Sequence, residues 1–581
     1  MLTELRPSKD LLDSNFSGYK LSLDPIPVYR QSIVEGVDHV GQSEDQYSFI
    51  HTKLFSLHNH LYCDPWRDNT VVFIDNKWQV IRASVLPETG RVDGLQTVWK
   101  LPHQNQRRVG HFNTSVLFPS RDIALVADGC GRLHILDCAN DTWQCEHSLE
   151  VTADCGNVLM TAAVTAEAAL HCVLLSLEAI TTDPVSSADP NKPRPASVKS
   201  VLHWLTLKKV DGGTWSVECT RQLEGAGAVD YVALEPTGAA LYVASNTTFA
   251  FSFDSANPLP PSAEKTNNDE LNPPAYTWQQ SEDDIKVVVE VADGVTRDQI
   301  DVKVEAKLLM ICCGTTTIVE GPLLYTVDHK LTTWSLQDNR LEVTLTKQEV
   351  GLMWSELVPS DTTGRQVIDP AVVEEVHSRL SHLCSDTQVK ESGEGVAPTF
   401  NLDQLEECDS APEDSRSLVR LEPETHSVSH YISLAGHQWL TAVLETADYP
   451  ACVCVRHDVD GCVWRLDPPS STSAEWPCKH VGTFAALGYV AASKTQRKFL
   501  VAAQDLSYAV ICEAASRVYV YRKATKVNGE LRNRKTSARF ETVAKQQLIN
   551  LETDSPVLGV YASPTYLFIL TNDTLYTFHI Q

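Results

Sequence analysis

Long apolar runs are scarce in this chain of 581 residues. A membrane-spanning helix needs roughly 18 or more predominantly apolar residues in a row, and even the uncharged stretch 236–253 is interrupted by Thr, Ser and Asn. Residues 1–7 also lack the apolar region of a signal peptide. We therefore expect a soluble, non-secreted protein without a membrane partner, located in the cytoplasm with the nucleus as a second compartment.

Basic residues are also few relative to acidic ones. Lys and Arg number 48 against 75 Asp and Glu, which gives a formal net charge of −27. Proteins that bind nucleic acid neutralise phosphates with clustered Lys and Arg, so this balance argues against direct nucleic-acid binding and favours protein partners. The 16 cysteines are scattered through strand-like segments. Positions such as Cys172, Cys219 and Cys512 are predicted to be small buried hydrophobes rather than parts of a disulfide framework.

Motifs for catalysis, cofactors and metals are missing. Gly225-Ala226-Gly227 has neither the third glycine nor the following helix of a dinucleotide-binding fingerprint, and the sequence contains no phosphate-binding loop and no Gly-x-Ser-x-Gly elbow. His58, His60 and Cys63 have a spacing that zinc could use, but no second cluster supplies the closing ligands. Carboxylates are too numerous for a catalytic pair to be singled out. The sequence predicts a protein that is not an enzyme and has no cofactor.

One basic cluster stands out from the acidic background, between residues 522 and 539, and it includes the turn signal Asn528-Gly529. Its members are Arg522, Lys523, Lys526, Arg532, Arg534, Lys535 and Arg539. A charge run of this kind is typical of a solvated hairpin tip. A nuclear import signal and a contact for an acidic partner are the alternatives.

Short strands with turn punctuation fill residues 18–255 and 425–581, and three segments share the order strand, polar turn, strand, short turn, strand. These segments are 118–137, 234–253 and 562–580. Such units are typical of the inner strands of β-propeller blades, which must pack radially to bury both faces. We predict one propeller of about seven blades formed by both parts of the chain, with the segment between them inserted in a single inter-blade loop. Two packed β-sandwiches are the alternative architecture.

The inserted segment, residues 274–358, is predicted to be a small antiparallel β-sandwich. Its apolar residues alternate with polar ones, and period two over four to eight residues indicates half-buried strands. Turn signals such as Asp293-Gly294 and Cys313-Gly314 separate the strands. The alternating apolar sets are Ile285, Val287, Val289 and Val291, then Ile300, Val302 and Val304, then Leu341, Val343 and Leu345.

Aromatic spacing in this segment resembles a known family. The order Tyr-x-Trp-x-Gln from Tyr276, then residues 320–323, then residues 334–338, then an alternating strand that ends at Lys347 and a final Trp354 is similar to the CS domain of the NudC proteins. The chain departs from the family at 306–309, where basic residues are usual, and at Trp354, which stands in place of a doubled Trp. The positions that carry the resemblance are Tyr276, Trp278, Gly321, Leu323, Trp334 and Trp354.

The resemblance implies a function. NudC CS domains act as co-chaperones of the ninety-kilodalton heat-shock protein and assist β-propeller clients, so those six positions become candidate protein-binding residues, with a role in the sandwich core as the alternative. The first hypothesis is therefore a monomeric, non-enzymatic factor that binds client proteins and the heat-shock chaperone. The second is an adaptor in which the propeller binds a specific partner and the CS domain serves as clamp or cap.

The remaining segments are assigned to connections. Residues 1–17 are expected to be a loosely ordered lead, and residues 256–273 a linker rich in Pro, Ser and Asn. Residues 359–424 are expected to hold one short helix and an acidic tether. The helix is predicted at 370–384, because Asp369 is a plausible N-cap, Pro370 suits the first helical position and an apolar stripe follows.

Overall fold

The computed structural model of this chain describes residues 2–580 except 87–88, 103–109, 152–156, 167, 181–197, 211–212, 260–274, 282, 292–296, 315, 338–339, 349–353, 355, 359–362, 368–415, 435–436, 471–474, 515, 528–531 and 533–541. The chain divides into two compact units. One comprises residues 1–260 and 405–581, and the other residues 261–404. The predicted helix at 370–384 and most of the predicted tether lie outside the described residues.

The first unit begins with short elements. They are strands β1 (Leu2–Thr3), β2 (Lys20–Leu21) and β3 (Val28–Ser32), a 3-10 turn at Lys9–Leu11 and helix α1 (Phe49–Ser56). Two four-stranded antiparallel sheets follow, here called blades 1 and 2. Blade 1 contains β4 (Tyr62–Cys63), β5 (Thr70–Ile74), β6 (Gln79–Val85) and β7 (Val92–Lys100), and blade 2 contains β8 (Ser115–Ser120), β9 (Ile123–Ala127), β10 (Arg132–Asp137) and β11 (Gln144–Glu150).

Blade 3 gains a fifth strand from the segment that follows β17. Blade 3 contains β12 (Leu159–Ala166), β13 (Ala169–Ala179), β14 (Val198–Lys209) and β15 (Trp215–Gly225), and blade 4 starts with β16 (Val229–Leu234) and β17 (Leu241–Ser245). The next strand, β18 (Ala250–Asp254), returns to the outer edge of blade 3 and pairs with β15. The chain then enters the second unit.

The second unit is a two-sheet sandwich. Its elements are β19 (Tyr276–Gln280), β20 (Asp284–Glu290), a 3-10 turn at Arg297–Gln299, β21 (Ile300–Glu305), β22 (Leu308–Cys313), β23 (Thr316–Pro322), β24 (Val327–Gln337), β25 (Arg340–Lys347) and β26 (Gly364–Gln366). The larger sheet has the order β24-β25-β20-β19-β26, and the smaller one β21-β22-β23. The predicted alternation is confirmed: Ile285, Val287 and Val289 are fully buried, as are the corresponding residues of β25.

After the insert the chain completes blade 4 with β27 (Ser417–Glu422) and β28 (Ser427–Ser433), and then builds three more blades. Blade 5 contains β29 (Trp439–Val443), β30 (Cys452–His457), β31 (Asp460–Leu466) and β32 (Cys478–Phe484). Helix α2 (Leu487–Ala492) follows. Blade 6 contains β33 (Arg497–Ala502), β34 (Tyr508–Glu513), β35 (Arg517–Lys526) and β36 (Thr542–Asn550), and blade 7 contains β37 (Gly559–Ala562), β38 (Tyr566–Leu570) and β39 (Thr574–His579).

The seven blades form a closed ring. The first strands of neighbouring blades lie side by side, as β8 with β12, β12 with β16, β29 with β33 and β33 with β37. Each neighbouring pair of blades shares one apolar core, and the ring closes where Phe73 of blade 1 packs in one cluster with Phe568 of blade 7. The fold is therefore a seven-bladed β-propeller with an inserted sandwich, and the alternative of two packed sandwiches is wrong for this unit.

Second strands of the blades are covered on both faces, which explains their composition. In β38 all five residues, Tyr-Leu-Phe-Ile-Leu, are buried, and β5 and β17 are buried throughout as well. A strand with two covered faces needs apolar residues at consecutive positions rather than in alternation. Each Phe or Leu side chain buried in this way contributes about 1.5–3 kcal/mol.

The N-terminal residues complete blades that the C-terminal part builds. Strand β3 pairs with β39 as the fourth strand of blade 7, β2 pairs with β36 at the edge of blade 6, and β1 pairs with β28 at the edge of blade 4. The interpretation of residues 1–17 as a loosely ordered lead needs correction, because β1 belongs to a sheet and Leu5 is only 3% exposed. Segments far apart in the sequence are therefore paired at the outer edges of blades 4, 6 and 7.

The position of the insert also differs from the prediction. Strand β17 pairs antiparallel with β27, from Leu241 opposite Leu421 to Ser245 opposite Ser417. The insert therefore separates the second and third strands of blade 4 and does not lie in a loop between blades. Sequence patterning places strands along the chain, but it does not tell which strand pairs with which across 170 or so residues of intervening chain.

Both described helices were missed by the sequence analysis. Helix α1 starts after Ser48, whose hydroxyl oxygen accepts a hydrogen bond from the backbone N–H of His51 at 3.2 Å. Helix α2 follows Ala486, which has a positive φ of 53° and whose N–H donates to Asp460 Oδ1 at 2.6 Å. Both helices are short, so their apolar periodicity is weak. Among the described residues no helix is long and apolar enough to cross a membrane.

Residues 1–260 and 405–581, co-expressed as two separate chains, are expected to co-purify in equal amounts, because β17–β27 and β3–β39 pairing and the shared cores hold them together. Size-exclusion chromatography of the affinity-purified pair measures this association. Two chains that elute apart, each soluble, would contradict the single closed propeller.

Candidate functional site

The six positions that the sequence singles out lie together around one core, between the two sheets of the sandwich. Four of the side chains are 1–4% exposed: Tyr276, Trp278, Leu323 and Trp354. Gly321 is buried on β23 opposite Leu309. Trp334 packs against the core from its edge and is half-buried, with the guanidinium carbon of Arg297 4.8 Å from its ring centroid. Their arrangement stabilises the sandwich, and a direct contact with a partner stays a prediction.

Gln280, the last residue of the Tyr-x-Trp-x-Gln motif, connects the first strand of the domain to its end through hydrogen bonds with Trp354. Its Nε2 donates to the carbonyl oxygen of Trp354 at 2.8 Å, and its Oε1 accepts from the Trp354 N–H at 2.8 Å. The same Oε1 accepts from Lys347 Nζ at 3.0 Å. Because both backbone groups of Trp354 are satisfied, the indole can be 2% exposed without leaving unpaired polar atoms beside it.

Lys347 is a buried cation at the end of β25. Its Nζ donates to the carbonyl oxygen of Ser281 at 2.8 Å as well as to Gln280, and the residue is only 3% exposed. Burial lowers the pKa of Lys347, since the charged form loses water. The roles of Lys347 and Gln280 were not predicted, because nothing local in the sequence indicates a partner 74 residues away.

The outer face of the larger sheet is polar. Lys286 Nζ lies 2.8 Å from Glu342 Oε2, and Arg340 Nε lies 3.4 Å from Glu342 Oε1. The hydrogen bond from Lys286 lowers the pKa of Glu342. Ion pairs at such exposed positions contribute little to stability, so this face is a solvated surface with fixed charges rather than a buried cluster.

Strand β24 forms an open edge with a large bulge. In the described part of the sandwich it pairs only with β25. Asp328 lies opposite Thr346 and Thr333 opposite Thr344, so residues 329–332 face the single residue Leu345. Leu331, within this bulge, is 59% exposed. Bulges at sheet edges redirect side chains and are frequent at functional sites, and we refer to residues 328–333 as the β24 bulge.

His58 and Cys63, whose spacing zinc could use, have surroundings in the structure that do not favour a metal site. Among the described residues no group of three His, Cys, Asp or Glu side chains could hold a metal ion. His58 Nε2 is 2.9 Å from the hydroxyl of Tyr62, and burial raises the pKa of Cys63 to about 12, which disfavours the thiolate that zinc binds. The prediction of buried cysteines is confirmed: Cys172, Cys219 and Cys512 are 0–4% exposed.

One member of the basic cluster, Arg522, has a structural role in the propeller. Arg522 is part of β35, donates from Nε to Gln547 Oε1 at 2.7 Å and reaches the Ile580 carbonyl oxygen, and burial lowers its pKa. Strand β35 pairs antiparallel with β36, and most of the segment between them, predicted to be a hairpin tip, lies outside the described residues. Asn528-Gly529, Arg534, Lys535 and Arg539 lie outside the described residues.

Comparisons with known proteins agree with this architecture. The CS domain family model matches residues 274–347. The chain is 32% identical to NudC domain-containing protein 1 of Mus musculus over 588 residues, which covers 99% of this chain and 98% of that protein. It is 32% identical to the protein of the same name from Xenopus laevis over 586 residues, with 98% and 97% covered.

Several solved structures match most of the length of the chain. The β-propeller domain of Myceliophteria thermophila Cps50 (Swd1) covers 82% of this chain and 99% of its own length, at 9% identity and a TM-score of 0.29. The propeller assignment rests on the seven sheets and their shared cores. The identity over nearly the whole length of the two relatives decides the family. This chain belongs to the NudC domain-containing protein 1 family.

Proposed function

We propose that this protein is a non-enzymatic protein-interaction factor whose CS domain binds the ninety-kilodalton heat-shock chaperone and assists the folding or assembly of client proteins, including β-propeller clients. Membership of the family and the CS fold support a chaperone-like interaction role. The observation that carries the proposal is the β24 bulge, which combines an open strand edge with an exposed leucine. The domain core itself is closed, so a partner must bind at such an outer feature.

Strand edges and exposed apolar side chains are the two elements of β-strand recognition. An edge strand offers unpaired N–H and C=O groups to an incoming segment. Within the bulge Asp328 Oδ1 accepts from the N–H of Lys330 at 3.0 Å, which holds the loop in a turn. Leu331 is left outside the core, where it does not stabilise the sandwich. Burial of that side chain against a partner would contribute about 1.5–3 kcal/mol to binding.

The second candidate is an adaptor in which the propeller binds the specific partner and the CS domain is a clamp or cap. A seven-bladed ring with a wide axial cavity favours this idea, since propellers offer large loop surfaces and a central channel for recognition. In the first candidate the CS domain binds the chaperone. In the second the propeller binds the partner.

Affinity purification of matched chains tests the proposal and separates the candidates. The chains are the full-length protein, the protein with residues 261–404 replaced by a short Gly/Ser linker, and the variant Leu331→Asp. Leu548→Asp is the control, because Leu548 is a similarly exposed leucine, 52% against 59%, on β36 of the propeller. We expect the chaperone to co-purify with the full-length protein and with Leu548→Asp.

Loss of the chaperone is expected for the deletion, and a drop of about tenfold or more for Leu331→Asp, because a carboxylate cannot be buried against an apolar site without a partner. Thermal unfolding checks that both leucine variants fold alike. If the deletion variant retains the chaperone, the CS-based proposal is wrong. If it loses the chaperone but keeps a different partner in equal amounts, the adaptor candidate is supported.

A further inference from the structure

A cavity of about 650 Å³ lies on the axis of the propeller. Its walls come from the first strands of blades 3 to 6, with Leu159 of β12, Asp230 of β16, Leu440 of β29 and Leu500 of β33. Helix α1 forms another wall through Lys53 and its neighbours. This cavity, which we call the channel cavity, has the volume of a typical ligand pocket, about 300–1,000 Å³.

The lining of the channel cavity is cationic, although the chain as a whole has a net charge of −27. Four positively charged side chains and a single carboxylate line it among the described residues: Lys53, Arg416, Arg497, Lys498 and Asp230. Asp230 is already engaged, because Lys53 Nζ is hydrogen-bonded to its Oδ1. Arg416, Arg497 and Lys498 therefore make up an excess of positive charge around a partly open cavity.

Arg497 is the least compensated of these cations. Its Nη1 is buried and has no hydrogen-bond partner among the described residues. Burial lowers the pKa of Arg497, and burial also lowers the pKa of Lys498, whose Nζ donates to the neutral carbonyl oxygen of Val557 at 2.7 Å. A buried guanidinium without a counter-charge is costly. A bound oxyanion would supply the missing acceptor, and Arg is well suited to bind a carboxylate in a bidentate manner.

Apolar groups accompany the cations. Leu54, Trp439 and Leu440 line the same cavity. Phe49 and Leu57, at the two ends of α1, line it too and are 51% and 46% exposed. A small inorganic anion would leave this apolar surface in contact with water, whereas a peptide with acidic and apolar side chains would cover both kinds of lining.

We propose that the channel cavity is a binding site for an acidic segment of a partner protein, in which carboxylates pair with Arg416, Arg497 and Lys498 and apolar side chains contact α1 and Trp439. The site lies wholly in the propeller and is independent of the chaperone contact proposed for the CS domain. The acidic surface of the rest of the chain repels such a segment, so its binding requires the local excess of positive charge in the cavity.

Fluorescence anisotropy with the full-length protein tests this inference. The probe is a short fluorescein-labelled peptide that alternates glutamate with leucine, and a second peptide has serine in place of leucine. The variants are Arg497→Gln and the double variant Arg497→Gln/Lys498→Gln. Lys479→Gln is the matched control, because Lys479 is an exposed cation on β32, the outermost strand of blade 5.

We expect the glutamate–leucine peptide to bind the native protein, and Arg497→Gln to weaken binding about tenfold or more, the usual consequence of losing a buried charge-assisted hydrogen bond. Lys479→Gln should leave binding unchanged. Thermal unfolding should show no loss of stability for Arg497→Gln, because the substitution removes an uncompensated charge. Absence of binding, or equal binding by the native protein and the double variant, would overturn the inference. The inference would also be overturned, in favour of a simple anion site, if the serine peptide bound as tightly as the leucine peptide and inorganic phosphate displaced both peptides fully.

Discussion

Replacing Glu235 with leucine is expected to destabilise the propeller by about 3 kcal/mol, the lower end of the range for breaking a buried ion pair. Glu235 follows β16, and its Oε2 accepts from Arg420 Nε at 2.8 Å and from the Tyr242 hydroxyl at 3.2 Å. The side chains of Arg420 and Glu235 are 8% and 5% exposed. The substitution would leave the Arg420 guanidinium buried with less charge to balance it.

Arg420 stays protonated in the native protein. Burial disfavours its charge, but the hydrogen bonds and charges of Glu235 and Glu422 together outweigh this effect and raise the pKa of Arg420. Glu422 and Ser429 also accept from its Nη1, which is why the expected loss is about 3 kcal/mol rather than more. Because Arg420 is on β27, this pair connects the parts of blade 4 that precede and follow the insert.

Denaturant-induced unfolding, with hydrogen exchange of β17 and β27 as the local measurement, tests this first prediction. Glu552→Leu is the control, since Glu552 is 73% exposed and its oxygen lies 3.4 Å from Arg30 Nη2, and its loss should change stability by less than about 1 kcal/mol. The double variant Glu235→Leu/Arg420→Met should lose less stability than Glu235→Leu alone, because no unpaired charge remains. Equal losses for Glu235→Leu and Glu552→Leu would show that the buried pair has no special role.

Gln280→Leu is expected to destabilise the CS domain by about 3 kcal/mol, because three buried polar groups lose a hydrogen-bond partner at about 1 kcal/mol each or more. The three groups are the N–H and carbonyl oxygen of Trp354 and the Lys347 ammonium. The indole of Trp354 should become more exposed as the end of the domain loosens, so its fluorescence should shift to longer wavelength.

Gln279→Leu is the control for Gln280→Leu. Gln279 has the same side chain on the same strand but is exposed on the opposite face, so Gln279→Leu should change stability by less than about 0.5 kcal/mol. Thermal unfolding followed by intrinsic fluorescence compares the two variants. If Gln279→Leu and Gln280→Leu had the same effect, the hydrogen bonds to Trp354 would not be what stabilises the end of the domain.

The sandwich was predictable from sequence because its signal is local. Alternation within β20 and β25 places Val287 and Val343 in the core, and period two needs only a few residues to be recognised. The propeller was predictable in outline for a related reason: continuous apolar strands such as β38 recur with turn signals between them. Its second strands do not alternate, and that departure itself indicates two covered faces.

The candidate binding features were beyond sequence reasoning. The β24 bulge depends on the register between β24 and β25, and a shift in register leaves no mark in composition. The channel cavity gathers Lys53, Arg416 and Arg497 from three widely separated parts of the sequence, so no motif joins them. The basic cluster at 522–539 looked more prominent in the sequence, yet Arg522 serves the blade rather than a surface.

The pairing of β3 with β39 sets the order in which the protein can be completed during synthesis. Val28 lies opposite Phe578, so β3 has no partner strand until the ribosome has produced β39, more than 500 residues later. Blade 4 likewise waits for the whole insert before β27 can join β17. A nascent chain therefore holds unpaired strands while the sandwich, whose strands are close in sequence, can already fold. We therefore expect the propeller strands of the nascent chain to stay unpaired, and prone to aggregate, until the ring closes.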